Sequence, residues 1–199
     1  VRVSVTIVDV PESRPVHDPK VLRAIAHPVR NRILTELDAS GSLRAADLAE
    51  RLDIPANQAS FHLRQLAKYG LIEEDPEAAR DRRDRVWRPA PGGLNVNLGE
   101  IEKAPGGRAV SAVYRQQSAA RAHGYVDRAH DDRREEGTTR SVMDSSLRLT
   151  KDEARQLSEE LIAVVAGWGD RTRGTTDPDR RTYLYYAMLM PHPELEDES

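Results

Sequence analysis

Apolar residues recur every three to four positions over two neighbouring stretches. Leu48, Ala49 and Leu52 mark the first, within residues 43–52, and Ala59, Leu63 and Leu66 mark the second, within residues 56–69. This is the period of a helix with one buried face. Asp53, Ile54 and Pro55 separate the two, and a proline suits the first turn of a helix, where its missing N–H would be unpaired anyway. Gly70 comes directly after the second stretch, at a position suited to a left-handed C-cap. The pattern then shortens: Leu71 and Ile72 lead into Glu73 and Glu74, and Val86 and Trp87 sit between Arg85 and Arg88. These read as two strands of a hairpin around a polar loop at 75–84. Upstream, Asp18 and Pro19 supply an N-cap and a first helical proline. Pro28 would break a continuous helix, which gives a short helix to about Ala26 and a second from Pro28 to about Asp38. Ile25, Val29, Ile33, Leu34 and Leu37 form their packing face.

The flanking regions have a different character. Val1, Val3, Val5 and Ile7 alternate with Arg2, Ser4 and Thr6, the pattern of a half-buried strand, and residues 11–15 read as a linker. Glycines at 92–93 and 106–107 bracket a junction in which Val96 and Leu98 suit another small strand. A long helix is expected from about Arg108 to Glu135, with Val110, Val113, Tyr114, Ala120 and Tyr125 as an uneven apolar face. That face is too thin for an isolated helix to persist, so it needs a partner either within the chain or on another subunit, and the subunit contact is placed there. Residues 146–149 read as a strand. Thr150 and Glu153 match a capping box for a helix carrying Leu157, Leu161, Val164, Val165 and Trp168 on one face. Residues 183–190, aromatic and apolar, read as a further strand that pairs with residues 1–10. The expected fold class is mainly α (α+β): a winged helix-turn-helix domain followed by a helical C-terminal region with a few short strands. The expected division is an N-terminal strand and linker at 1–16, a winged domain at 17–92, and a dimerisation or effector region at 93–199 with an acidic tail.

Composition narrows the function classes. The 199 residues are 38% hydrophobic and 32% charged, which suits a globular chain with long exposed helices. There is no apolar run near the length of a bilayer span, and residues 1–10 are too short and too polar for a secretion signal. A cytoplasmic location is the expectation. With no cysteine, disulfides and thiolate metal sites are excluded. The net charge of −3 argues against general coating of nucleic acid, but local basic patches rather than the total set such a footprint. No glycine-rich phosphate loop and no Gly-x-Ser-x-Gly elbow is present. No enzyme activity and no cofactor are expected.

Chemistry concentrates opposite the stripe of Ala59, Leu63 and Leu66. Asn57, Gln58, Ser60, Phe61, His62, Arg64, Gln65 and Lys68 present amides, a hydroxyl, rings and cations with no acid among them. Asn and Gln can pair with adenine and Arg with guanine in a major groove that admits one helix. Two short helices joined by a tight turn are the helix-turn-helix unit, whose second helix enters the groove. The hairpin after it would be a wing, with Arg80, Arg82, Arg83 and Arg85 available for phosphate contact or a narrow minor groove. His62 fits a packing role as well as base readout.

From Asp18 to Pro91 the chain resembles the ArsR-type winged helix-turn-helix transcriptional regulators. The resemblance is carried by residues 22–34 around Ala26, His27, Pro28, Val29 and Arg30, by Asp47, Leu48 and Ala49, by Ser60 to Leu66, and by Gly70, Leu71 and Ile72. Residues 144–150 with the helix after them also resemble long members of that group. The resemblance implies a transcriptional regulator that binds double-stranded DNA as a homodimer, with an unidentified small-molecule effector as a further partner and no membrane. Trp168 and the Tyr183 to Tyr186 group are the candidates for an effector pocket, against plain core packing. Many members of that family sense metals, but their thiolate site would fall near residues 43–48, where Arg44, Ala45, Ala46 and Asp47 stand. His123, Asp127 and His130 share one helical face and could form a hard-ligand site, or could be exposed polar groups. A winged-helix module that binds protein instead of DNA is the remaining alternative.

Overall fold

In the computed structural model the described residues are 14–80, 85–92, 94–133, 135–175, 177 and 179–192. Helix α1 (Pro19–Ala26) begins where the Asp18 carboxylate accepts the Lys20 amide at 2.7 Å. Pro28 then opens α2 (Pro28–Ser40) after His27 takes an extended conformation, as expected for a residue preceding proline. Leu43–Arg44 forms the short strand β2, so the next helix, α3 (Ala45–Leu52), starts two residues later than the apolar spacing implied. Its first turn is held by Asp47, whose carboxylate accepts from the Arg44 amide at 3.0 Å and from its guanidinium at 2.8 and 3.1 Å. The Arg44 hydrogen bond holds that carboxyl below its usual range.

Asp53 closes the turn between the two helices in the left-handed region at φ 51°, its N–H reaching the carbonyls of Ala49 and Glu50. Helix α4 (Ala56–Lys68) comes next. Gly70, at φ 62°, ends it as the spacing predicted: its N–H donates to Ala67 O at 2.8 Å, and the Leu71 N–H reaches back to Leu66 O at 3.0 Å. The chain then forms β3 (Ile72–Glu74) and β4 (Val86–Pro89), which with β2 make an antiparallel sheet in the order β2-β4-β3.

A second, two-stranded sheet joins β1 (Arg14–Val16) in parallel to β5 (Leu94–Val96), bringing the start of the described chain beside the junction after the wing. Leu98, expected in a strand, instead opens α5 (Leu98–Glu102), capped by Asn97. Helix α6 (Gly107–His130) packs its first half on α1, where Val110, Ser111 and Tyr114 are buried. Of the two covers expected for this helix, one within the chain and one on another subunit, the first is thus supplied over that half. Gly107 must be glycine, because a Cβ there would lie 1.9 Å from the Ile101 carbonyl oxygen. One continuous core runs from Val16 through Leu22, Leu63 and Leu66 to Val96 and Tyr114.

Beyond α6 the chain has one further regular element among the described residues, α7 (Lys151–Thr172), with the predicted Thr150–Glu153 capping box and no buried residue. The strands expected at 146–149 and 183–190 do not form. Neither stretch meets a sheet edge, and a strand without a partner leaves its backbone polar groups unpaired. The strand expected at 1–10 and the acidic tail lie outside the described residues.

His62, from α4, faces inward and is buried; its ring centroid lies 4.7 Å from that of His27 at the α1–α2 junction. Burial lowers the pKa of both rings, and Arg30, which donates to the Arg23 carbonyl at 3.3 Å, lowers both further. His27 also acts on His62 in the same direction. With His62 buried and His27 half-buried beside it, the pair is neutral where an unfolded histidine, with its ordinary value of 6.5, begins to take up a proton. The unfolded chain therefore binds more protons below that value, and stability decreases as the pH is lowered.

This packing generates two expected outcomes. Gly70→Ala should lower unfolding stability by about 1–2 kcal/mol, because an L side chain resists the left-handed region; urea titration of parent and variant with equal midpoints would contradict this. Melting temperature should hold steady above pH 6.5 and decline as pH falls through that value toward the lowered folded pKa of the pair. His62→Leu should flatten the decline, and an unchanged slope in the variant would remove the histidine pair as its source.

Candidate nucleic-acid interface

Helix α4 is fixed by its inner side. Ala59, Leu63 and Leu66 are fully buried against α2 and α3, and each leucine contributes roughly 1.5–3 kcal/mol through burial. Because residues three and four apart share a face, this leaves Asn57, Phe61, Arg64 and Lys68 in a single exposed row along the opposite side. Gln58, Ser60 and Gln65 are half-buried along its flanks. Phe61 is 51% exposed although it is the chain's one phenylalanine. Among the described residues this outward ring in the middle of a polar row has no aromatic partner apart from an edge contact with His62 at 5.3 Å. Asn57 Oδ1 accepts the Gln58 amide at 2.9 Å. Arg64 and Lys68 make no ion pair or hydrogen bond among the described residues.

The sequence-predicted residues thus divide. Asn57, Phe61, Arg64 and Lys68 come together as one surface, with Gln58, Ser60 and Gln65 beside it. His62 does not: it lies on the core side, and its role is packing against His27.

The wing is anchored by a residue that sequence reasoning misses. Asp75, 8% exposed, stands at the hairpin base, accepts the Ser42 hydroxyl at 2.5 Å, and donates its N–H to Val86 O at 2.9 Å. The Ser42 bond is the chief cause of its lowered pKa, with Arg88 at 3.9 Å assisting. An aspartate at the edge of a polar loop gives no sequence signal of this kind, because its partner lies 33 residues away. Arg88 Nη2 meets Glu73 at 2.8 Å across the two strands. Arg85 lies 3.5 Å from Glu74, so its charge is shared with a neighbour at the wing base. Arg80 is exposed on the loop. Arg82 and Arg83 lie outside the described residues.

The alternative sites are not assembled in this structure. His123, Asp127 and His130 are all exposed on α6, and near its end His130 Nδ1 pairs with Val126 O at 3.0 Å. Among the described residues no group of three metal-ligating side chains converges. Trp168 and Tyr183 to Tyr186 are 49–59% exposed rather than gathered around a cavity. Among the described residues no helix is long and apolar enough to cross a membrane.

Comparison with known proteins bears on the α2–α4 region. No curated protein matches the chain. Reduced HlyU from Vibrio cholerae is 18% identical over 49% of this chain and 84% of its own, with a TM-score of 0.31. Wild-type apo MarR from E. coli is 15% identical over 74% and 88%, with a TM-score of 0.33. The homodimeric winged helix-turn-helix DNA-binding domain of Mb0332 from Mycobacterium bovis is 20% identical over 58% and 86%, with a TM-score of 0.31. Likenesses this remote identify neither a subfamily nor a function. Residues 25–75 match the family model of a helix-turn-helix domain, which spans the end of α1 through β3. With the β3–β4 hairpin attached to it, this chain carries a winged helix-turn-helix domain.

Proposed function

We propose that the protein is a transcriptional regulator that binds double-stranded DNA in a sequence-specific manner as a homodimer. The observation that carries this reading is the row of Asn57, Phe61, Arg64 and Lys68, exposed along the second helix of a helix-turn-helix unit and free of acids. Asn57 and Arg64 offer the donors and acceptors that distinguish adenine and guanine in the major groove, and Phe61 offers apolar contact to a thymine methyl. Gln58 and Gln65 add amides at the edges of the row. Lys68, at the far end, suits a phosphate. Arg80, Arg82, Arg83 and Arg85 extend the contact from the wing to the backbone, which positions the helix without reading sequence. One helix contacts few base pairs, so two copies reading two half-sites give the selectivity that a genome demands. The ArsR-type character expected from the sequence motifs belongs to this proposal.

Selection of bound duplexes from a random pool, followed by titration of the selected duplex, tests the reading. Arg64→Ala should weaken specific binding by about 1–3 kcal/mol and relax base preference at one position in each half-site. Phe61→Ala should reduce preference for thymine while leaving affinity for random DNA nearly unchanged. Recovery of no enriched sequence, or equal binding by parent and both variants, would exclude α4 as the reading element. For the wing, Arg82→Ala with Arg83→Ala should weaken specific and random DNA alike. Removal of each phosphate-binding arginine should lower the salt slope by about one unit. A slope identical to that of the parent would exclude those two arginines from the interface.

A further inference from the structure

The largest unexplained feature lies on α7, far in sequence from the row on α4. Leu161, Val164 and Trp168 are 38%, 59% and 58% exposed and succeed one another at helical spacing, with Leu157 half-buried at the head of the row. Burial of such a stripe is what makes a 22-residue helix persist. Among the described residues its own chain does not provide the cover. The apolar segment at 183–190 is engaged elsewhere: Tyr186 lies 5.4 Å from Tyr125 of α6, and the Tyr183 hydroxyl accepts the Thr139 amide at 3.1 Å.

We infer that α7 is covered by α7 of a second copy, the two helices running antiparallel about a two-fold axis that passes between Leu161 and Val164. The inference rests on the homodimer proposed above and names its interface. An interface of this symmetry must be self-complementary, and α7 meets that demand at two levels. Leu161 falls opposite the second copy's Val164, and Leu157 opposite the second copy's Trp168, so a branched or ring side chain meets a leucine at each layer. The charged flank matches as well. Glu153 and Arg171 lie on the same side of the stripe, near opposite ends of the helix. Reversal of direction brings Arg171 within one residue, about 1.5 Å of rise, of the second copy's Glu153. Two symmetric ion pairs then close the ends of the apolar contact. The Arg171 guanidinium already lies over the Trp168 ring at 3.9 Å, on the rim of the stripe. A parallel pair would set Glu153 level with the second copy's Glu153, about 27 Å of rise from Arg171, and would form neither ion pair.

The far end of α7 is tied to the winged domain. Arg173 donates to the Asp38 carbonyl at 3.3 Å, at the C-terminal end of α2, where a cation is favoured by the helix dipole. Its side chain also fills the space beside Gly41, where a Cβ would approach within 3.0 Å. The paired α7 helices therefore bear on α2, and through α2 on the two α4 helices.

The absence of native cysteine permits a direct test on the full chain. Leu161→Cys chains mixed with Val164→Cys chains under mild oxidation should yield a disulfide-linked heterodimer of twice 22.3 kDa. Ala163→Cys, on the opposite face, should remain uncross-linked. Sedimentation without DNA should show a dimer for the parent, and Trp168→Glu should weaken association by roughly tenfold or more. Arg171→Glu should weaken it less, with partial recovery when Glu153→Arg is added. A parent that stays monomeric at micromolar concentration overturns the inference, as does cross-linking through Ala163→Cys as ready as through the paired positions. A cross-linked dimer that binds no DNA would uphold this interface and remove the DNA reading, whereas DNA binding by a chain that fails to cross-link would remove the interface alone.

Discussion

Burial of the inner side of α4 sets the position of every group on its outer side. Ala59, Leu63 and Leu66 pack against α2 and α3, and the period of the helix then leaves no freedom in where Asn57, Phe61, Arg64 and Lys68 emerge. A one-residue slip would turn the helix by about 100° and carry Phe61 and Arg64 away from the exposed row. Two features prevent that slip. Asp53 in the left-handed turn fixes where the helix begins, and Gly70 fixes where it ends. The wing is held to the same frame by Asp75 and Ser42, so helix and hairpin form one surface instead of two independent ones.

Much of this surface is legible in the sequence because it is built from local signals. The spacing of Leu48, Leu52, Leu63 and Leu66, the proline at 28 and the glycine at 70 act over one or two turns, and each appears where the local chemistry predicts it. The features that are not legible depend on distant partners. Strand β2 is two residues long and exists through its pairing with Val86 and Trp87. The β1–β5 pairing joins residues 80 positions apart in register, and no pattern within either segment specifies the other. His62 sits one position from Phe61, yet one ring is buried and the other exposed. His62 stands three residues after Ala59 and four before Leu66, on the buried side of α4, and the ring it meets there, His27, comes from the distant α1–α2 junction.

The C-terminal region shows the converse. Residues 183–190 have the composition of a strand, but composition supplies only one half of a sheet. Without an adjacent edge the segment stays irregular, and its tyrosines make isolated contacts with α6 and with Thr139. Helix α7 forms at its capping box and continues for 22 residues, none of them buried. Its amphipathic pattern is visible in the sequence; the direction in which its apolar stripe faces is not, because that depends on Arg173 docking at the end of α2.

The central claim is that one side of α4 reads DNA while the other holds the fold. Amide chemical-shift mapping on the labelled full chain, titrated with its selected duplex, addresses this most directly. The largest changes should fall on Asn57, Phe61, Arg64 and Lys68 and on the wing, with Leu63 and Leu66 little affected. Changes confined to α6 and α7, or none at a saturating concentration of duplex, would contradict it.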